Sequence, residues 1–98
     1  MEITASRKKQ LRRKAHHLKP AVLIGQKGLT PAVVAAVEEG LSHHELIKVR
    51  FGGCDRGERD RIASSLIGAT DATSVQQIGF TLTLFRRNEE HPKIRFAD

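Results

Sequence analysis

The stretch that most constrains the fold is residues 20–31, PAVLIGQKGLTP. Pro20 disfavours helical dihedrals at Lys19, so a helix arriving from the N-terminus ends there. Ala21 to Ile24 is a short, unbroken apolar run, the pattern of a strand buried on both faces. Gly25 and Gly28 then bracket two polar residues. Thr30 reads as an N-cap and Pro31 as the first helical residue, where its missing N–H costs nothing. A strand leading through a tight loop into a helix is half of a βαβ unit. The chain is thereby directed to an α/β fold with at least one parallel strand pair.

The flanking segments complete that reading. Ser6 to Leu18 favours helix, with Leu11, Ala15 and Leu18 at i, i+4 and i+7 forming a narrow apolar stripe. After Pro31, Val33, Val34, Val37 and Leu41 line one face of a second helix that fades near His43-His44. Glu45 to Phe51 alternates, with Ile47, Val49 and Phe51 on one side and Lys48 and Arg50 on the other, as in a half-buried strand. Asp55, followed three residues later by Glu58, resembles a capping box. It opens a third helix marked by Ile62, Leu66 and Ala69 and ending near Thr70. Thr73 to Ile78 and Phe80 to Arg86 read as two strands meeting near Gly79, with Phe51 and Phe80 on apolar strand faces. The order is α-β-α-β-α-β-β, giving a four-stranded mixed sheet. The polar sides formed by Lys48, Arg50, Thr81 and Thr83 place the helices mainly on one face, so the expected architecture is a two-layer sandwich. Residues 1–98 form one domain, with its core over about 6–87. The tail 88–98 shows little pattern beyond an extended piece at Lys93 to Phe96.

Charge is distributed unevenly. The net charge is +6, and residues 1–19 carry seven of the 17 Lys and Arg residues but only Glu2 among the 11 acidic ones. The ten basic and ten acidic residues beyond cancel. A positive field concentrated in one segment attracts polyanions, although a solvated basic helix has the same composition. One cysteine, Cys54, provides no internal disulfide, and no apolar run approaches the ~20 residues that span a bilayer. The N-terminus lacks the apolar segment of a signal peptide. A cytoplasmic protein is expected.

Read as a site, the loop Gly25-Gln26-Lys27-Gly28 offers glycine backbone that a ligand can approach closely, beside a helix N-terminus. Lys27 adds charge. The G-x-x-G spacing resembles the loop with which KH modules clamp a nucleic-acid backbone, but by itself it is equally a sharp turn out of a strand. It is not a nucleotide-binding P-loop, which needs lysine directly after the second glycine; here Leu29 follows Gly28. The adjacent pairs His16-His17 and His43-His44 lack metal-ligand spacing, and no C-x-x-C occurs. No base can be assigned to Cys54, Ser64 or Ser65, so no metal, cofactor or catalytic residue is expected. Four Phe and no Trp or Tyr cannot build a base-stacking sheet. Recognition should therefore rest on phosphates and shape.

The segments LKPAVLIGQKGLT, HHELIKVRF and VQQIGFTLTLFR together resemble the CRM domain (chloroplast RNA splicing and ribosome maturation), in particular its small bacterial YhbY-like members, over about residues 6–87. The resemblance implies a fold similar to the C-terminal domain of a bacterial translation initiation factor. It also implies RNA binding through the loop, and association with precursors of the large ribosomal subunit. Carried onto this chain, the RNA-binding residues are Gly25, Gln26, Lys27, Gly28 and Thr30. To these the basic first helix adds Lys8, Arg12, Arg13, His16 and Lys19, with Lys48 and Arg86 as further candidates. Three departures stand out: Asp71 replaces a helix-terminating glycine, Phe85 replaces a tyrosine, removing a hydroxyl available to RNA, and Gly57 is unusual in the first turn of the third helix. The expected partner is ribosomal RNA, bound by a monomer. DNA binding and a protein-interaction adaptor remain the alternatives.

Overall fold

The computed structural model describes residues 3–97. Seven elements follow one another: α1 (Ala5–Ala15), β1 (Pro20–Ile24), α2 (Pro31–His44), β2 (Leu46–Phe51), α3 (Arg56–Thr70), β3 (Thr73–Ile78) and β4 (Thr81–Phe85). The order is the expected one. The caps also act as read: Thr30 Oγ1 accepts from the Val33 N–H at 3.2 Å, and Asp55 Oδ1 from the Glu58 N–H at 2.9 Å. Asp71 closes α3 at φ 57°, ψ 29°, the left-handed geometry that aspartate tolerates better than most residues.

The strands form one mixed sheet in the order β1-β2-β4-β3. β1 and β2 are parallel, joined through α2; β4 runs antiparallel to both of its neighbours. The α3 connection carries the chain past one strand position, and the β3–β4 hairpin fills it. That hairpin turns on Gly79 and Phe80, with Gly79 at φ 55°, which glycine adopts without strain.

Ile24, Ile47, Val49, Phe51, Leu82 and Leu84 point to one face and pack with Val37 and Leu41 of α2 and Ala63 and Leu66 of α3. α1 lies on the opposite face. There Leu11 and Ala15 cover Leu46, Val75 and Phe85, joined by Ile94 and Phe96 from the C-terminal segment. The two inner faces of β2 explain why Leu46 is buried although it falls outside the Ile47-Val49-Phe51 alternation.

Several expectations require correction. β1 is an edge strand, not one buried on both faces: only Ile24 is buried, and Leu23 is 65% exposed. α1 ends at Ala15 rather than Leu18, because the Leu18 N–H turns back to the Ala15 carbonyl at 2.9 Å. Leu18 is consequently exposed. Among the described residues the segment after β4 has no strand, yet it is tied down by Gln10, whose amide donates to the Ala97 carbonyl at 3.0 Å and accepts from the Ala97 N–H at 2.8 Å.

Candidate nucleic-acid interface

The loop is a four-residue turn in which the Gly28 N–H donates to the Gly25 carbonyl at 3.0 Å. Gln26 and Lys27 form its exposed corner. Gly28 sits at φ 69°, the left-handed region, so the fold itself requires glycine there. Gly25 is different. Its φ lies outside the left-handed region, and a Cβ built on it would meet nothing within 4 Å. No steric or backbone requirement of the folded chain accounts for this glycine. It leaves bare backbone facing open space, beside the N-terminus of α2, where unpaired N–H groups and the helix dipole favour an anion.

Other elements converge on the same end of the sheet. The Gly52 N–H donates to the Ile24 carbonyl at 2.7 Å, and the Phe51 N–H to the Phe80 carbonyl at 2.7 Å. Ile62 of α3 lies 3.7 Å from the position a Cβ on Gly28 would take. The sequence reading missed two residues here. Phe80 occupies the hairpin turn and is 43% exposed, contrary to the strand-face position expected of it. The Arg59 guanidinium lies 4.3 Å from its ring centroid and donates through Nη1 to the Cys54 carbonyl at 2.8 Å. The Gly79 signal immediately before Phe80 pointed to a turn, but nothing local revealed the arginine above it.

α1 sits toward the other end, over Leu46, five residues and about 17 Å along β2 from Phe51. Its rotation sorts the basic residues. Arg12 and His16 face the uncovered sheet and meet Lys48, Gln76, Ile78, Thr81 and Thr83. Lys14 and Lys19 border a separate, mainly apolar groove with Leu18, His44 and Ile94. Arg13 is fully on the outer side, and Lys8 is half-buried. Between helix and loop, Lys48 and the exposed Arg50 stand on the same sheet face. The β2 alternation had shown Arg50 beside Lys48, although it was not assigned to the site.

Two residues depart from their expected roles. Arg86 is not part of this surface. Its Nη1 donates to Glu38 Oε2 and to the Thr70 carbonyl, each at 2.8 Å, and its Nη2 to Ser42 Oγ at 3.1 Å. It joins β4 to α2 and to the end of α3. Phe85 is 1% exposed, packed edge-to-face on Phe96 with centroids 5.9 Å apart. A tyrosine hydroxyl at this position would start from a buried ring rather than from the RNA-facing surface.

The fully buried Glu45 was not anticipated at all. Held at φ 64° after α2, it accepts from the backbone N–H groups of Asn88 (2.7 Å), Lys93 (2.6 Å) and Ile94 (2.7 Å), and from Arg87 Nη1 (3.2 Å). Burial pushes its carboxyl pKa up, but these donors outweigh that effect and hold it below the usual carboxylate value. Glu45 thereby clasps the C-terminal segment against α1.

Comparison with known proteins agrees with this architecture. The CRS1 / YhbY (CRM) domain model matches residues 3–86. The chain is 43% identical over 88 residues to a Haemophilus influenzae protein named as an RNA-binding protein, covering 90% of this chain and 89% of the relative. It is 33% identical over 93 residues to the Bacillus subtilis protein named "Probable RNA-binding protein YqeI", covering 94% and 96% respectively. The solution structure of the Staphylococcus aureus hypothetical protein SAV1595 superposes with a TM-score of 0.82 at 28% identity, over 98% of this chain and all of that one. The family match over residues 3–86, nearly the whole described chain, makes this chain a member of the CRS1/YhbY (CRM) domain family.

Proposed function

We propose that the chain is a monomeric RNA-binding module that docks on structured ribosomal RNA during assembly of the large subunit, without catalysis. The observation that carries this reading is Gly25: a glycine that the fold does not need, with open space where its side chain would be, at the mouth of a helix N-terminus. A phosphate oxygen can reach that backbone, and a methyl group would obstruct it. Lys27 supplies charge at the loop corner, and Lys48, Arg50 and Arg12 continue the positive surface toward α1, with His16 beside them. The relatives' names as RNA-binding proteins support the ligand class. The ribosomal assignment rests on the resemblance to the small bacterial members.

The test has two parts. Lys27→Glu, with its fold checked by circular dichroism, should weaken binding to a structured ribosomal RNA fragment. Wild-type affinity at moderate salt would remove the loop from the interface. Crosslinking the protein to RNA in cells and sequencing the attached fragments should recover large-subunit ribosomal RNA; fragments drawn evenly from messenger RNA would overturn the ribosomal assignment.

A further inference from the structure

Beside α1, the uncovered part of the sheet forms a cavity of about 220 Å³ lined by Arg12, His16, Lys48, Gln76, Ile78, Thr81 and Thr83. Its lining is two-sided. α1 and β2 contribute the basic groups Arg12, His16 and Lys48, whereas β3 and β4 contribute an amide, two hydroxyls and an apolar side chain. Gln76 pairs with Thr83 and Ile78 with Thr81 across the β3–β4 ladder, so each pair presents its side chains on one face.

Two observations mark this as more than a gap between elements. Thr83 is only 3% exposed, yet no group among the described residues pairs with its hydroxyl. That hydroxyl is not sealed in the core: it opens on the cavity, where a bound group can pair with it. The second is a register shift between Ser74 and Gln76. Val75 packs under α1, so strict alternation would send Gln76 to the α2/α3 face. The bulge turns it back toward α1, while Gln77 goes to the other side and donates to Asp60 of α3 at 3.1 Å. Bulges that re-aim a side chain recur beside functional sites.

We propose that this cavity accepts one unpaired base of a single-stranded or bulged RNA segment, read by Gln76, Thr81 and Thr83, packed on Ile78, with its phosphate held by Arg12 and Lys48. A nucleotide has the same two-sided chemistry: an anionic phosphate, and an edge of neutral donors and acceptors around an apolar face. A glutamine amide carries both a donor and an acceptor for such an edge. Strand rise and spacing put the cavity roughly 12 Å from Gly25, so RNA clamped at the loop reaches it within a few nucleotides. The proposal rests on the RNA-binding reading and adds base discrimination to it.

The experiment measures fluorescence anisotropy of the full chain with labelled oligo(A), oligo(C) and oligo(U), and with a blunt RNA duplex, at several salt concentrations. The variants are Gln76→Ala, Thr83→Val and Lys27→Glu. Thr83→Val keeps the β-branched shape and loses only an unpartnered hydroxyl, so its fold is retained. The wild type should prefer one homopolymer. Gln76→Ala and Thr83→Val should each reduce that preference about fivefold or more, leaving duplex affinity and the salt slope unchanged. Lys27→Glu should weaken every RNA together. Wild-type binding that is equal for all homopolymers, or pocket variants that keep the preference or lose duplex affinity in parallel, would overturn base reading while leaving the RNA-binding function standing. Failure of the wild type to bind any of these RNAs would overturn both.

Discussion

Gly25→Ala separates a glycine kept for folding from one kept for a ligand. In the free protein the substitution meets no atom within 4 Å and no left-handed φ. Alanine in such a position loses less chain entropy on folding, so stability should be unchanged or rise by about 0.4–1 kcal/mol. Gly28→Ala is the internal contrast. The new Cβ would meet Ile62 at an ordinary 3.7 Å, but φ 69° imposes left-handed strain of about 1–2 kcal/mol. For RNA the order should invert. A methyl on Gly25 blocks approach of a phosphate to the loop backbone, and a charge-assisted hydrogen bond is worth about 1.5–3 kcal/mol. That corresponds to a loss of roughly 10- to 100-fold in affinity. Urea denaturation gives the stability arm, and anisotropy with a ribosomal RNA fragment at fixed salt gives the binding arm. A Gly25→Ala protein that is folded, as stable as the wild type and equally tight on RNA would refute the argument that this glycine serves a ligand.

Three further outcomes follow from named contacts. Arg12→Gln should lower the slope of log affinity against log salt by about one unit, and Arg13→Gln by less, because only Arg12 faces the sheet; equal effects would contradict the helix rotation. Arg86→Ala should cost about 1–3 kcal/mol in urea denaturation, since it leaves Glu38 and the Thr70 carbonyl unpaired, with no change in the RNA salt slope. Glu45 has a folded pKa below its unfolded value, so its contribution is present above the ordinary glutamate pKa and is lost as pH falls through the depressed folded value. Acid titration of the wild type should therefore show a decline in stability below about pH 4 that is smaller in Glu45→Gln, a variant already destabilised by about 3 kcal/mol at neutral pH; parallel curves would show that the clasp does not depend on the charge.

Local chemistry made much of this molecule legible before its fold was known. The N-caps Thr30 and Asp55, the turn Gly25–Gly28 and the alternation in β2 each depend on neighbours a few residues away, and each appears where its pattern placed it. The crowding of positive charge into residues 1–19 is also independent of conformation. Tertiary structure decided what depends on partners distant in the chain. An apolar AVLI run reads the same in a central or an edge strand, and only the order β1-β2-β4-β3 leaves Leu23 outside. A charged residue just past the end of a strand or helix reads as surface, yet Arg86 and Glu45 are held by groups 16 to 49 positions away. The open sheet face beside α1, with Gln76 turned into it, exists only because a bulge and a helix on the second face meet there. Hydrophobic period encodes how far a side chain turns about its own element; it carries no information on which elements become neighbours.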